Sequence, residues 1–348
     1  MRNFFPLCLA TAAAILFSNQ VFAWDYEGHR AVNQLALASL PVDFPAFVRT
    51  PEARERIAFL AGEPDRWRNT SDLALRHVNA PDHFLDLEDL DDAGLALTQL
   101  NEFRYSFTVQ MAAARAAHPE HFPAIDPEKN KDHTRELPGF LPWSIIECYD
   151  KLKSEFSYLK AFEELGTPEE IANAQANIVY VMGVMGHYVG DGAQPLHTTK
   201  YFNGWTGANP HGYTTARTFH AWIDGGFLIK TGGISAAALA ERVKPAVYLP
   251  PPKDTDGRSP MFVNVLNYLV EEHTKLEPLY ALEKAGKLSS EGGQFTEGRA
   301  FLENQLLSAA TMLGSLWLSA WREAPTDNYL RAQLLERKAA ALTTTTKS

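Results

Sequence analysis

Apolar residues recur at helical intervals along most of this chain, and no region shows the alternating pattern of a strand series. The pattern therefore predicts an all-α fold. No internal repeat or break in composition marks a second domain, so we expect a single compact multi-helix domain. The predicted helices cover residues 27–39, 51–60, 95–117, 144–165, 262–272 and 295–321, with two more that begin near Thr167 and Thr218.

The helix that begins near Thr167 has the clearest start signal. Thr167 can cap it, Pro168 suits its first position, and Glu169 and Glu170 place acidic groups in its first turn. It continues through the apolar run ANIVYVMGVMGHYV, and Pro195 marks its end. This helix therefore carries polar residues into an apolar environment.

Between the helices, charge, proline and glycine predict loops. The predicted loops cover residues 86–92, 126–142, 203–215 and 249–260. Residues 337–348, which end in TTTTKS, are predicted to form a disordered tail.

The strongest chemical signal is His187-x3-Asp191-x5-His197, followed by His220-x3-Asp224. A spacing of four residues brings two side chains together on one face of a helix, so each His/Asp pair can share one ion. Imidazole and carboxylate are zinc ligands, and adjacent zinc ions suit phosphate-ester hydrolysis. A single pair of this kind also arises as a surface ion pair, but two pairs joined by a histidine predict a metal site.

The first 23 residues predict a secretory signal peptide. A basic start at Arg2 precedes an apolar run over residues 7–17, and the small Ala23 suits cleavage before Trp24. The apolar run is too short for a membrane anchor, and no later segment is long and apolar enough to span a bilayer. We therefore expect a secreted or periplasmic protein whose domain covers residues 24–336.

Net charge and cysteine content bear on which ligands the protein can bind and on what stabilises its fold. The formal net charge of −10 argues against non-specific binding of duplex DNA through a basic face. It does not exclude a nuclease, because bound zinc ions would supply positive charge where a phosphate lies. Cys8 would leave with the signal peptide, so Cys148 has no internal disulfide partner. Stability must then come from the core and from metal.

Three further features extend the ligand cluster. Cleavage would make Trp24 the N-terminus, five residues before His29, and a freed α-amine can become a metal ligand. Asp65 lies in GEPDRWR, and His83 lies in APDHFLDLED.

With these residues, the pattern resembles the type I single-strand-specific zinc nucleases, which share an all-helical fold with zinc-dependent phospholipase C. The resemblance implies a domain built around a cleft with three Zn²⁺ ions and an N-terminal tryptophan. The implied ligand sets are Trp24 (amine and carbonyl), His29 and Asp191; Asp65, His83 and His187 with Asp191 as a bridge; and His197, His220 and Asp224.

The resemblance also implies roles at the substrate. Two zinc ions bridged by Asp191 would lower the pKa of a shared water, and Asp65 would position that water or accept its proton. Arg68 matches a phosphate-binding arginine. Phe84 matches an aromatic residue that stacks on a base, and Asp86 matches a residue that hydrogen-bonds to the base.

These implications predict an exported endonuclease that hydrolyses single-stranded DNA and RNA to 5′-phosphate products. We expect a monomer that uses no nucleotide cofactor. A phospholipase C with the same metals is the nearest alternative, and a non-catalytic zinc-stabilised exported protein is another. The chain departs from the family in lacking disulfides and in the longer loop TTKYFNGWTGANPHGYTT after His197. His220-x3-Asp224 favours the nuclease branch, because phospholipase C enzymes have Glu at the second position.

Overall fold

The computed structural model describes residues 24–122 and 124–345, and the predicted signal peptide lies outside them. Within these ranges every regular element is helical, which confirms the all-α fold class. The α-helices, labelled in chain order, are α1 (Tyr26–Ser39), α2 (Pro51–Leu60), α3 (Glu63–Arg68), α4 (Leu73–Asn79), α5 (Leu87–Asp92), α6 (Arg104–Ala117), α7 (Leu141–Leu165), α8 (Pro168–Gly192), α9 (Phe219–Ala221), α10 (Phe227–Lys230), α11 (Ala236–Leu239), α12 (Pro260–His273), α13 (Leu276–Lys284), α14 (Thr296–Glu323) and α15 (Asn328–Thr345).

Short turns of other helix types join these elements. The 3₁₀ turns are Ala46–Arg49, Ala80–His83, Leu97–Gln99, Pro119–His121, Pro127–Lys129 and Pro195–His197, and a π-helical turn covers Trp222–Gly226.

Helix α8 is the centre of the fold and packs against α1, α2, α7 and α14. It begins with the predicted capping box, in which the Glu170 amide donates to Thr167 Oγ1 (3.3 Å) and the Thr167 amide donates to the Glu170 carboxylate (2.9 Å). From Met182 to Gly192 every residue is buried. The carboxyl-terminal half of α8 therefore lies in the interior, where a polar side chain needs a partner.

Two glycines allow α1 and α2 to approach α8 closely. A Cβ on Gly186 would overlap Asn33 Oδ1, and a Cβ on Gly183 would lie 2.5 Å from the Leu60 Cβ. The Asn33 amide donates to the carbonyls of Ile57 (2.7 Å) and Gly183 (3.0 Å). This buried side chain thereby links the three helices one turn before His187.

Several predicted boundaries were wrong. The acidic segment 86–92 is helical from Leu87 to Asp92, and the helix predicted over 95–117 begins only at Arg104. The tail predicted to be disordered from residue 337 continues α15 to Thr345. Arg337 forms an ion pair with Glu170 (2.7 Å), and buried Leu334 packs near Ala161, so tertiary contacts stabilise a segment of ordinary polar composition.

None of the described helices is long and apolar enough to cross a membrane. Cys148 is buried, and burial raises the pKa of its thiol to about 12. Its thiolate is therefore scarce at neutral pH, which makes Cys148 a packing residue.

Candidate metal centre

Three buried groups of His and Asp side chains surround the carboxyl-terminal half of α8. In each group the candidate ligand atoms lie within 4.8 Å of one another. The groups are His29, His187 and Asp191 (group 1); Asp65, His83 and His187 (group 2); and His197, His220 and Asp224 (group 3). Eight of the nine ligands predicted from the sequence are thus brought together, from elements far apart in the chain.

Asp191 lies where the groups meet. Its Oδ2 atom is 2.9 Å from His83 Nδ1 and 3.3 Å from His187 Nε2. Its Oδ1 atom is 3.5 Å from both His29 Nε2 and His197 Nδ1. One carboxylate therefore faces four imidazoles, and each of its oxygens lies within 3.5 Å of two of them.

Backbone carbonyls fix the orientation of two imidazoles. His187 Nδ1 lies 2.7 Å from the Ala61 carbonyl, and His197 Nδ1 lies 2.6 Å from the His83 carbonyl. Because a carbonyl oxygen only accepts, each Nδ1 donates its proton and each Nε2 presents a lone pair. Metal-bound histidines commonly have this arrangement.

The Nε2 lone pairs of these two rings point at other histidines. His187 Nε2 lies 2.9 Å from His83 Nδ1, and His197 Nε2 lies 3.0 Å from His220 Nε2. Such short distances between imidazole nitrogens suit ligands that share one ion.

Group 3 is built on an irregular segment. The sequence predicted a helix from Thr218, but only Phe219–Ala221 is α-helical, and a π-helical turn follows. His220 Nε2 still lies 2.9 Å from Asp224 Oδ2, and the Gln194 amide donates to Asp224 Oδ1 (3.0 Å). Gln194 thus orients a candidate ligand, a role that the sequence did not indicate.

The buried polar atoms fit divalent cations. Within the described residues, the carboxylate atoms Asp191 Oδ1 and Asp224 Oδ2, which face the candidate imidazole ligands, are buried without a hydrogen-bond partner. Burial lowers the pKa of His220 to about 3, and burial together with Arg68 lowers the pKa of His83 well below its usual range. Both imidazoles are therefore neutral, as metal ligation requires.

The carboxylates of the centre respond differently to their surroundings. Burial acts to raise the pKa of Asp191, but His187 and His197 outweigh it, and the pKa lies well below the usual range. Burial raises the pKa of Asp224 well above its usual range, although His197 opposes the shift. Asp191 is thus already charged, whereas a nearby cation would stabilise the charged form of Asp224.

Trp24, the ninth predicted ligand, is buried beside the carboxyl-terminal end of α8. Its indole nitrogen donates to the Gly190 carbonyl (2.9 Å), and the amide of Asp25 donates to the Asp224 carbonyl (3.0 Å). In the full-length chain the Trp24 nitrogen belongs to a peptide bond. Its predicted role as a ligand depends on cleavage before it.

We expect an additional residue before Trp24 to weaken zinc binding at the first predicted set about 10- to 100-fold, because it converts an amine ligand into an amide. The measurement is a zinc titration of the chain that begins at Trp24 and of the same chain with one added N-terminal Gly. A chain with the Gly added at its C-terminus is the matched control. Equal zinc affinity in all three would exclude the amine as a ligand.

A cleft of about 400 Å³ opens next to group 3. Arg68, Phe84 and Asp86, which the sequence predicted to contact substrate without binding metal, all line it. Arg68 Nε lies 2.7 Å from Asp65 Oδ1. Burial, with Asp89 and Glu88, raises the pKa of Asp86 well above its usual range.

The loop before α7 also holds the backbone at Phe84 and Asp86, in addition to the contacts that His197 makes with the His83 carbonyl and the Leu85 amide. The Leu141 amide donates to the Phe84 carbonyl (3.1 Å), and the Asp86 amide donates to the Pro138 carbonyl (2.8 Å). Gly139 has φ +102°, and a Cβ there would overlap the Phe84 carbonyl. The loop before α7 thereby positions the predicted base-binding residues.

The long loop after His197 behaves mostly as a structural unit. Trp205 stacks on Tyr201 (4.5 Å between ring centroids) and donates to the Ala208 carbonyl, as expected of a turn-stabilising aromatic. Exposed His211 does not line the cleft. Phe202 does line the cleft, with its ring centroid 5.6 Å from that of His220, a position that no sequence motif indicated.

A fourth group lies on the surface. His118, Glu120 and His121 also place potential ligand atoms within 4.8 Å of one another, but all three residues are exposed. Their exposure, unlike the burial of the other three groups, leaves them accessible to water without any ion.

Comparison with known proteins identified no relative. No family model matches the chain, and neither the curated proteins nor the solved structures contain a match. The resemblance to zinc nucleases therefore stays a prediction that depends on the residues themselves.

Proposed function

We propose that this chain is an exported zinc-dependent phosphodiesterase of the type I nuclease kind, which hydrolyses single-stranded DNA and RNA to 5′-phosphate products. The observation that carries the proposal is the junction at Asp191, where one charged carboxylate faces four buried imidazoles beside a cleft lined by Arg68. Folding alone would not favour this junction, because burying so many polar groups costs free energy.

The predicted ligand sets assign a role to each buried group. His29 and Asp191, with the freed Trp24 amine and carbonyl, would hold one zinc ion, and Asp65, His83 and His187 would hold a second that shares Asp191. Group 3 would hold the third. Bound zinc would supply Lewis-acid activation of water and of the phosphoryl oxygens.

The remaining steps belong to side chains of this protein. The Asp65 carboxylate lies against Arg68 (2.7 Å), so it can accept a proton at Oδ2 while Oδ1 holds the guanidinium. The Arg68 guanidinium, lining the cleft, would bind the non-bridging oxygens of the phosphodiester, where charge increases in the transition state.

Phe84 and Asp86 favour a nucleotide over a lipid headgroup. Phe84 is partly exposed in the cleft and offers a flat apolar surface for a base. Asp86, whose pKa burial raises, can donate as well as accept a hydrogen bond to a base edge. A choline headgroup would use neither property.

The proposal is tested by incubating the zinc-loaded chain that begins at Trp24 with single-stranded DNA, RNA, duplex DNA and phosphatidylcholine vesicles. We expect cleavage of both single strands, slower cleavage of the duplex, and 5′-phosphate ends on the products. Phosphocholine release with intact nucleic acid would replace the nuclease proposal with phospholipase C. A zinc-loaded protein inactive on all four substrates would favour a non-catalytic role.

Arg68→Gln is expected to lower kcat/KM on single-stranded DNA about 10²-fold, because the transition state loses a charged hydrogen-bond donor. Metal content should stay at the wild-type value. Arg66→Gln is the matched control, since Arg66 lies in the same helix, is exposed and pairs with Glu63 (2.5 Å) instead of Asp65. Equal losses in the two variants would show that the effect arises from helix α3 and not from phosphate binding.

A further inference from the structure

The cleft has a second set of cations, which none of the predicted ligand or substrate residues accounts for. Arg76, Lys129 and Arg135 line it together with Arg68 and group 3. Arg76 comes from α4, and the other two come from the segment between α6 and α7. Neither element supplies a metal ligand, so these cations do not belong to the metal centre.

Hydrogen bonds organise the segment that carries Lys129 and Arg135. Asn130, which is buried, accepts from the Arg135 amide (3.0 Å) and donates to Glu136 (2.6 Å). The Arg135 side chain donates through Nε to the Lys129 carbonyl (2.7 Å). The Arg135 guanidinium is therefore held against the Lys129 backbone, while the Lys129 ammonium pairs with Asp126 (3.2 Å).

Asp132 connects this segment to α4. Its side chain is buried, and Oδ2 lies 2.8 Å from Arg76 Nε while Oδ1 accepts from Thr134 (3.0 Å). His77 Nδ1 lies 2.8 Å from the Asp132 carbonyl. Asp132 thus aligns Arg76 with the other two cations, and about half of the Arg76 side chain, 49%, stays exposed for a ligand.

The carboxylates of Asp86, Asp89 and Asp132 also line the cleft, one fewer than its four arginine and lysine side chains. Asp132 is engaged by Arg76, and burial raises the pKa of both Asp86 and Asp89. The lining therefore carries a formal excess of one positive charge, in a protein whose net charge is −10. A polyanion is the ligand class that matches such a region.

We propose that Arg76, Lys129 and Arg135 form a phosphate subsite that binds a neighbouring phosphate of the substrate strand while the metal centre acts on the scissile one. This inference rests on the proposed nuclease function and specifies its substrate as an oligonucleotide. A phospholipid carries one phosphodiester and gains nothing from such a subsite. The subsite makes strands with several phosphates better substrates than a dinucleotide with one.

The test compares a dinucleoside monophosphate, which has only the scissile phosphate, with a single-stranded octanucleotide. The variants are Arg76→Gln, Arg135→Gln and the double variant. Lys131→Gln is the matched control, because exposed Lys131 lies in the same segment, pairs with Glu128 and does not line the cleft. Thermal unfolding of each variant reports whether the fold is retained.

For the double variant we expect kcat/KM on the octanucleotide to fall about 10-fold, mainly through KM, with less than a twofold change on the dinucleotide. The dependence of KM on salt should also become weaker, since fewer phosphates are neutralised. Lys131→Gln should match the wild type on both substrates.

Two results would overturn the subsite. One is an unchanged octanucleotide rate in the double variant, and the other is an equal loss on both substrates, which would place these arginines in the catalytic step or in folding. Failure of the proposed function has a different signature, because the wild-type protein would then cleave neither the dinucleotide nor the octanucleotide.

Discussion

Asp191→Asn is expected to reduce kcat/KM on single-stranded DNA roughly 10³- to 10⁴-fold, the largest loss of any single substitution proposed for this chain. The carboxylate lies 2.9 Å from His83 and 3.3 Å from His187 through one oxygen, and 3.5 Å from His29 through the other. An amide has the same shape but lacks the charge that holds two cations next to each other. We therefore expect both predicted metal sites that use Asp191 to lose their zinc ions.

Metal analysis of the variant provides the sharper measurement. We expect zinc content to fall from three ions to one, because His197, His220 and Asp224 form a ligand group that does not include Asp191. Glu272→Gln is a suitable control, since Glu272 is also buried and accepts hydrogen bonds from Gln305 and Ser308 (2.5 Å each), away from the ligand groups. Three tightly bound ions in Asp191→Asn would contradict the bridge.

The His/Asp pairs were predictable because their spacing is a property of the helix itself. His187 and Asp191 share a face of α8 whatever the rest of the fold does. His220 and Asp224 also meet, although a π-helical turn replaces the expected helix, since a slightly wider turn still places residues four apart on one side. Local geometry was sufficient for these pairs.

Other parts of the centre depend on contacts between distant elements, which periodicity does not encode. The close approach of α1 to α8 depends on Gly186, where a Cβ would overlap Asn33, and on Gly190, where a Cβ would lie 2.9 Å from His29 Nδ1. The sequence marks these glycines only as residues with low helix propensity. Their function as contact points becomes evident only when the partner helix is present.

The positions of the cationic side chains in the cleft were likewise not predictable from the sequence. Residues 126–142 were predicted as a loop from their proline and charge, which is largely how the structure describes them before α7 begins at Leu141. Composition could not indicate that Lys129, Arg135 and Arg76 would line one cleft with Phe84 and Arg68. Asn130 binds the Arg135 amide there, and Asp132 pairs with Arg76. Burial of short polar side chains in a loop was the missing information.

Removal of metal is expected to lower the melting temperature by about 15 °C and to abolish hydrolysis. Each site occupied at 100 times its Kd adds about 2.7 kcal/mol to the free energy of unfolding, so three sites add about 8 kcal/mol. In a chain of this size 1 kcal/mol moves the melting temperature by about 2 °C. Without ions, buried ligand atoms such as Asp191 Oδ1 and Asp224 Oδ2 lack a hydrogen-bond partner in the described structure, and the folded state loses the stabilisation that the ions supply.

Thermal unfolding of the zinc-loaded and chelator-treated protein measures this shift. Zinc should restore both the melting temperature and hydrolysis, whereas magnesium should not, because imidazole-rich sites favour zinc over a cation that prefers oxygen ligands. A double variant, His118→Ala with His121→Ala, removes the exposed group and should retain the full shift, while Asp191→Asn should lose most of it. If chelation left the melting temperature of the wild-type protein unchanged, the buried groups would not be metal sites.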